Sequence, residues 1–350
     1  MLTFITKKLL YGLLVLIGIV LMVFVLFAWF PDPAEIMAGQ RDDVLTKDAI
    51  KKEFGLDKPK GTQLLLYIND LSPLSFHQST QENKEKYSYL CLFTAGQTDV
   101  VLKQPYLRRS YQSKKKVSQL LAESFAGTAV LATASILFAA VLGILLGIIA
   151  ALRQNTFTDR AILFTSTLGI SLPSFFAAII IAWLFGYLLS NYTGLNMTGS
   201  WVDYDGNYHR YYSFSNLILP TLALGIRPLS IIIQLTRSSM IEVMGQDYIR
   251  TAYAKGLSHS QVIWRHALKN ALNPVITSIS GWFASLLAGS FFVEYIFNWR
   301  GVGKVTVEAL EKSDYPVVMG AILLIAVVFI TMNIMVDIMY KVLDPRVNIN

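Results

Sequence analysis

Cysteine, histidine and nucleotide-binding motifs are scarce or absent in this sequence of 350 residues. Its one cysteine, Cys91, excludes an intramolecular disulfide framework and a cluster of thiolate metal ligands within one chain. The four histidines are scattered, and no two have the spacing of a zinc-binding helix. No GxxxxGKS or GxxxxGKT motif occurs, so the chain has no P-loop for nucleotide phosphates. We therefore expect no metal site and no cofactor in this chain.

Charged residues are also few, at 15% of the chain, whereas soluble domains carry about 25%. Hydrophobic residues make up 54%, and the mean hydropathy is +0.48. The net charge of +7 would suit nucleic-acid binding. In so apolar a chain, however, the excess of lysine and arginine is better explained by their retention at the cytoplasmic face of a membrane. The composition predicts an integral membrane protein that contacts the lipid bilayer and no nucleic acid.

Long apolar runs indicate six transmembrane helices and an all-α fold. A helix of about 20 residues crosses a hydrocarbon core of roughly 30 Å. The predicted spans are residues 9–30, 125–152, 161–189, 217–235, 274–297 and 316–340. The first is too long for the apolar core of a signal peptide, so we expect it to be retained. Pro173 should kink the third span.

The distribution of cations predicts the orientation and the domains. An even number of spans places both termini on one side, and the short segments on that side hold most of the lysine and arginine, which predicts cytoplasmic termini. The predicted parts are an N-terminal segment with the first span, residues 1–30, an extracytoplasmic cap segment, residues 31–116, and a core domain, residues 117–350. A cytoplasmic loop, residues 236–273, lies within the core.

Local signals in this loop predict two short helices joined by a sharp turn. Asp247 can cap the first helix, which should run to Lys255. Gly256 suits the left-handed position that follows a helix. Ser258 and Gln261 have the spacing of a capping box for the second helix.

The first of these helices carries tyrosines and cations together. Tyr248, Arg250, Tyr253 and Lys255 are of the types that are enriched at protein interfaces. One interpretation is a docking surface for a cytoplasmic partner, which we favour. The alternative is an amphipathic helix that covers the inner ends of the protein's own spans.

The predicted spans contain only a few polar residues that could contact a solute or take part in a reaction. Arg227 precedes Pro228 in the fourth span and either lines an aqueous pathway, where it would attract a carboxylate, or forms a structural ion pair. Ser171 and Ser174 could donate to a solute, but satisfying carbonyls freed by Pro173 is the default interpretation. Glu294, near a span end, should reach water or a cation. No acid, base and nucleophile can be assembled, which argues against an enzyme.

Several long motifs resemble the permease subunits of the dipeptide and oligopeptide ABC importers, a family that also includes nickel permeases. The resemblance covers nearly the whole chain. The motifs are GLDKP at 55–59, SLPSFF at 171–176, TRSSMIEVMGQDYIRTAYAKG at 236–256, RHALKNALNPVI at 265–276, VEYIFNWRGVGK at 293–304, DYPVVMG at 314–320 and LDPRV at 343–347. Residues near 77–106 match nothing in the family and resemble an insertion.

The resemblance implies a type I ABC importer permease fold and half of a translocation pathway that works by alternating access. It implies that the chain lies in the bacterial inner membrane. The implied partners are a second homologous permease, two ATPases that bind ATP and Mg²⁺, and an extracytoplasmic solute-binding protein. Peptides are the implied cargo; a nickel or other small-solute permease, or an ion-coupled secondary transporter, is the alternative. The motif implies ATPase coupling through Asp247, Arg250, Thr251, Ala252, Ala254 and Gly256, and the interface residues Tyr248, Tyr253 and Lys255 complete the predicted coupling loop. The candidate pathway residues, from the polar and proline positions within the spans, are Ser171, Pro173, Ser174 and Arg227.

Overall fold

The structure is a computed structural model that describes residues 2–28, 57–204 and 209–343. The end of the predicted first span, the first part of the cap segment and the C-terminal LDPRV motif after Leu343 lie outside these residues. The chain divides into two compact units, residues 1–123 with 305–327 and residues 124–304 with 328–350.

The described residues are mostly helical, as predicted, with five short strands. The helices are α1 (Leu2–Ala28), α2 (Lys60–Leu71), α3 (Gln81–Tyr87), α4 (Val117–Leu152), α5 (Phe157–Ser171), α6 (Ser174–Trp183), α7 (Ser190–Thr193), α8 (Ser215–Met244), α9 (Asp247–Ala254), α10 (His259–Gln261), α11 (Leu268–Leu287), α12 (Phe291–Ile296), α13 (Val302–Glu311) and α14 (Tyr315–Leu343). The strands are β1 (Leu74–Gln78), β2 (Leu90–Ala95), β3 (Thr98–Leu102), β4 (Val202–Tyr204) and β5 (Arg210–Tyr212).

Four helices within the described ranges are long and apolar enough to cross a membrane: α1, α4, α8 and α14. Helix α5 and the helical segment from α6 to Leu188 form a fifth candidate if they count as one span. Helix α11, which includes most of the predicted fifth span, is not among them. The count of six spans therefore stays a prediction, while several helices have the length and apolar composition that crossing a membrane requires.

The third predicted span is broken instead of merely kinked. Helices α5 and α6 meet at an angle of 107°. Leu172 has extended backbone angles, because the residue before a proline is pushed out of the helical region. Pro173 is the N-cap residue of α6, which begins at Ser174. The segment after α6, Leu184–Leu188, is π-helical.

The fifth predicted span, residues 274–297, also differs in the structure. Helix α11 begins earlier, at Leu268, and ends at Leu287. Gly289 follows with a φ of +127°, a backbone conformation that L side chains rarely adopt. Residues 291–296 form the separate helix α12, so Glu294 does not belong to the α11 helix.

Small residues bring α4 and α8 close together. A Cβ on Gly143 would overlap the side chain of Ile232, and one on Gly147 would overlap Thr236. Helices in membranes associate through such close contacts, since lipid tails are as apolar as the side chains. The close contact at these two glycines holds α8 against α4. Helix α8 leads into the predicted coupling loop.

The cap segment contains a three-stranded antiparallel sheet in the order β1-β3-β2, which the sequence analysis did not predict. Its covered face carries polar side chains, including Ser75, His77 and Asp99. Nearby, the Asp70 carboxylate accepts hydrogen bonds from the Tyr87 hydroxyl at 3.0 Å and the Arg108 Nε at 3.1 Å. Buried polar groups of this kind need their partners, which explains the tyrosines in this segment.

We expect the stability of this sheet to depend on pH through His77. Burial lowers the pKa of His77 below its ordinary value of about 6.5, and Lys103 lowers it further. The unfolded chain therefore takes up a proton first, so the free energy of unfolding of the cap should fall as the pH decreases below about 6.5 and level off below the folded-state pKa.

Hydrogen exchange of residues 74–102, measured between pH 7.5 and 5, checks this dependence. His77→Gln should flatten it, because the variant has no imidazole to protonate. An unchanged slope in this variant would contradict the assignment to His77.

Candidate functional site

Helix α9 has the glycine turn that the loop sequence predicts. Gly256 has a φ of +79°. The Gly256 amide donates to the Tyr253 carbonyl at 2.9 Å, and the Leu257 amide donates to the Ala252 carbonyl at 3.4 Å. These two bonds form a Schellman motif, which satisfies carbonyls at the end of a helix. The turn is therefore rigid.

Two details of the prediction are wrong. Gln246, not Asp247, is the N-cap residue of α9, and it makes no side-chain capping bond; Asp247 is the first residue of the helix. The capping box of Ser258 and Gln261 is present, but the helix that it begins is not short. It continues from α10 through a π-helical turn, Val262–Ala267, into α11.

The inner face of α9 is packed against its neighbours. Ile249 and Ala252 are buried, with 1% and 5% of their surfaces exposed. They belong to one apolar cluster with Ile148 of α4, Met240 of α8, and Val262, Ile263, Ala267, Leu268 and Ala271 of the α10–α11 segment. Helix α9 is thus seated on three other helical segments, so it cannot move independently of them.

The outer face of α9 carries both tyrosines in fixed positions. The Tyr248 hydroxyl accepts a hydrogen bond from the Asn270 side-chain amide at 2.8 Å. The Tyr253 hydroxyl lies 2.7 Å from His259 Nδ1, and the two rings stack. Both tyrosines remain about two-fifths exposed. An exposed aromatic side chain that is already immobilised loses little entropy on binding, which suits an interface.

The other predicted coupling residues are exposed. The Arg250 side chain lies 3.4 Å from the Asp247 carboxylate, but both are largely in solvent, so this pair contributes little stability. The Thr251 hydroxyl donates to the Asp247 carbonyl at 3.0 Å. Ala254 and Lys255 are exposed at the end of the helix. Ala252 is thus the one predicted coupling residue on the seated face, where it lies beside Ile249, which the sequence analysis did not single out. The rest of the predicted set is exposed.

Gly256→Ala should destabilise the loop by about 1–2 kcal/mol, because an L side chain at this φ is strained. The matched control is Gly245→Ala at the other end of α9, where φ is −78° and an added Cβ meets only ordinary contacts. Hydrogen exchange of residues 247–257 measures the difference. Equal exchange in the two variants would contradict a strained position at Gly256.

The predicted pathway residues lie at the break between α5 and α6 and on α8. The Ser171 hydroxyl donates to the Thr167 carbonyl at 2.9 Å. Pro173 is the N-cap residue of α6, and Ser174 is its first helical residue. Arg227 is exposed, and its guanidinium lies 6.0 Å from the Trp282 ring of α11. No carboxylate pairs with Arg227 among residues 2–28, 57–204 and 209–343.

The sequence analysis missed a buried network around Glu294. Its carboxylate is fully buried and accepts hydrogen bonds from Thr128 Oγ1 at 2.9 Å, Ser290 Oγ at 3.2 Å and the Lys304 amide at 3.2 Å. Gly301 and Gly303 flank the start of helix α13, and a Cβ on either would strike this carboxylate. Glu294 thus occupies the helix N-terminus itself, rather than reaching water.

A second missed feature is an ion pair between α5 and α8. The Asp159 carboxylate is 2% exposed and accepts two bonds from Arg237, from Nε at 2.6 Å and from a terminal nitrogen at 2.8 Å. It also accepts a hydrogen bond from the backbone amide of Asn155 at 2.9 Å. The residues are 78 positions apart, so only the fold brings them together.

Known proteins resemble this chain over nearly its whole length. The di/tripeptide transport system permease protein of Pseudomonas aeruginosa is 34% identical over 369 aligned positions, covering 99% of both chains. The dipeptide transport system permease protein of Escherichia coli K12 shows the same identity and coverage. That of Bacillus subtilis is 42% identical over 234 positions, covering 67% of this chain and 71% of the relative.

Comparisons with solved structures and with family models also match membrane components of ABC transport systems. The inward-facing MetNI methionine ABC transporter matches with a TM-score of 0.50 at 14% identity, over 65% of this chain and 97% of that chain, which concerns the fold alone. Residues 1–132 match the N-terminal family of binding-protein-dependent transport system membrane components. Residues 143–349 match the binding-protein-dependent transport system inner membrane components. The chain belongs to this family and is a membrane-spanning permease subunit of an ABC transport system, not an enzyme.

Proposed function

We propose that this chain forms half of the translocation pathway of an importer for di- and oligopeptides, driven by ATP. It pairs with a second homologous permease. Two ATPase subunits bind ATP and Mg²⁺ beneath the pair, and an extracytoplasmic binding protein delivers the peptide. Both termini of this chain lie in the cytoplasm of the bacterium.

The construction of helix α9 is the observation that carries this proposal. Its inner face is seated on α4, α8 and α11, and its outer face presents two immobilised tyrosines beside Arg250. A rigid helix transmits the closure of an ATPase dimer as a displacement, whereas a flexible loop would absorb it. Alternating access then follows if the ATP-bound ATPases favour one arrangement of the spans and the nucleotide-free ATPases favour the other.

Arg227 supports a peptide cargo. Within the described part of the chain, Arg227 contacts the Trp282 ring and no carboxylate, and it is exposed on a predominantly apolar helix. A cation in such a position is costly unless it faces a water-filled cavity or a charged partner. The carboxylate of a passing peptide would provide this partner during transport.

Arg227→Gln should slow the import of peptides with a free carboxylate at least about tenfold relative to their amidated forms, a difference of about 1.4 kcal/mol. Uptake of a radiolabelled dipeptide and of its amide by the assembled transporter measures this ratio. Equal loss for both would instead indicate a structural role for Arg227. Uptake of nickel or another small solute, with no uptake of peptides, would contradict the proposed cargo.

Crosslinking tests the ATPase contact. With Cys91→Ser as background, Tyr253→Cys should be captured by a P-loop ATPase when the transporter is assembled in membranes. The matched control is Tyr192→Cys, an exposed tyrosine on α7, which we place on the opposite side of the membrane. Capture of the ATPase from residue 192 would contradict the orientation.

The same preparation separates ATP-driven import from ion-coupled transport. Vesicles that contain the permeases without ATPases should show no uptake under an ion gradient. Uptake in these vesicles would contradict the proposed function.

A further inference from the structure

Helices α5 and α8 are joined along one side by polar contacts that begin at the ion pair of Asp159 and Arg237. Farther along, the Gln234 side-chain amide donates to Ser166 Oγ at 3.3 Å. A Cβ on Gly169 would overlap Ser230, so the two backbones are close at this level too. From Asp159 to Gly169 the seam is about 15 Å long, from the rise of an α-helix.

Both ends of this seam lead to functional elements. Helix α8 ends at Met244, and only two residues, Gly245 and Gln246, precede α9. Met240 of α8 is fully buried in the cluster that seats α9. At the other end, Gly169 lies two residues before Ser171, where α5 gives way to the break and α6.

From this arrangement we infer that Asp159 and Arg237 are positioning residues that make α5 move with α8, so that a displacement of α9 reaches the α5–α6 break. The inference rests on the proposed ATP-driven import. Two parallel bonds from a planar guanidinium fix both the distance and the angle between the helices, which a single hydrogen bond would not do. The Asn155 amide holds the carboxylate from a third side. The ion pair is therefore a rigid joint near the N-terminus of α5.

Arg237→Gln removes the cation and the paired geometry at this joint. ATP hydrolysis by the assembled transporter should stay within about twofold of wild type, while the amount of dipeptide imported per ATP should fall about fivefold or more. Arg160→Gln is the matched control, since Arg160 neighbours Asp159 in sequence but is exposed. If Arg237→Gln does not assemble, Arg237→Lys, which keeps the charge but cannot form the bidentate pair, should lower the same ratio.

A distance measurement tests the joint without reference to cargo. Spin labels at Phe157→Cys on α5 and Ser238→Cys on α8, both exposed positions, should keep a constant separation in the otherwise wild-type transporter, with Cys91→Ser as background, between the nucleotide-free and vanadate-trapped states. In Arg237→Gln the separation should change on trapping by about 1–2 Å or more, the scale of helix shifts at moving interfaces.

Two results would overturn the inference. One is a change of label separation on trapping with Arg237 intact, which would mean that α5 and α8 move apart during the cycle. The other is a proportional fall of hydrolysis and import in Arg237→Gln, which would indicate a merely stabilising pair. If the wild-type transporter hydrolyses ATP but imports no peptide, the proposed cargo is wrong, and the label separation still decides the role of the joint.

Discussion

Glu294→Ala is expected to lower the free energy of unfolding by about 3–5 kcal/mol. The substitution removes the acceptor for Thr128 Oγ1, Ser290 Oγ and the Lys304 amide. Each buried donor left without an acceptor costs about 1–3 kcal/mol, and the missing side chain adds a cavity.

The surrounding groups cannot readily adapt to this loss. Thr128 Oγ1 already accepts a bond from the Val302 amide at 2.9 Å, so its position is fixed by α13. Gly301 and Gly303 leave open the space that the carboxylate fills, and no side chain of theirs can replace it. Trp299, fully buried nearby, donates to the Gly127 carbonyl at 2.9 Å and holds the same segment against α4. The network should therefore fail as a unit.

Thermal unfolding in detergent measures the effect, and we expect the midpoint to fall by roughly 10 °C. Glu294→Gln should fall between Glu294→Ala and wild type, because one oxygen remains but the amide nitrogen cannot accept a bond from a backbone amide. Glu242→Ala, on the exposed surface of α8, is the control and should change the free energy by less than about 0.5 kcal/mol. A midpoint for Glu294→Ala that equals that of the control would refute the assigned role of the carboxylate.

Ile249→Asp should abolish transport while leaving the membrane-spanning fold intact. Ile249 is 1% exposed and lies in the cluster that seats α9. An ionised carboxylate has no cation to pair with in this apolar cluster, and its burial would cost several kcal/mol. Because α9 is a short surface helix, detaching it is easier than unfolding the spans, and the charge would reach water that way.

Transport should fall at least about 100-fold in this variant, which corresponds to the loss of about 2.7 kcal/mol of coupling. Hydrogen exchange should rise in residues 247–257 and stay unchanged in α4 and α8. Ile249→Val is the control, since it removes one methyl group and should cost about 0.5–1.5 kcal/mol without detaching the helix. Normal transport by Ile249→Asp would show that α9 need not be seated on the bundle.

The loop between α8 and α11 was predictable because its signals are local. The left-handed backbone at Gly256 and the capping box of Ser258 and Gln261 each depend on residues within about four positions, so the sequence alone indicates them. The extent of the second helix was not predictable. Its first turn continues into α11 through a π-helical segment in which Val262, Ile263 and Ala267 are buried in the cluster with α9 and α8, which is a tertiary effect.

In contrast to the loop, the buried polar networks of Glu294 and Asp159 could not be predicted from the sequence. Glu294 looked like a residue at the end of a span, and Asp159 carried no signal at all. Their partners are far away in sequence: Thr128 lies 166 positions from Glu294, and Arg237 lies 78 positions from Asp159. Carboxylates so placed can be recognised only when the helices that carry their donors are packed together.

Composition and local patterns were sufficient to establish the membrane class, most of the apolar helices, the glycine turn after α9 and, through long motifs, the family. They work because hydropathy and turn geometry depend on neighbours along the chain. The seat of α9, the joint of Asp159 with Arg237 and the burial of Glu294 were decided by tertiary packing. Each depends on which helices lie side by side, and distant hydrogen bonds and close backbone contacts leave no periodic trace in the sequence.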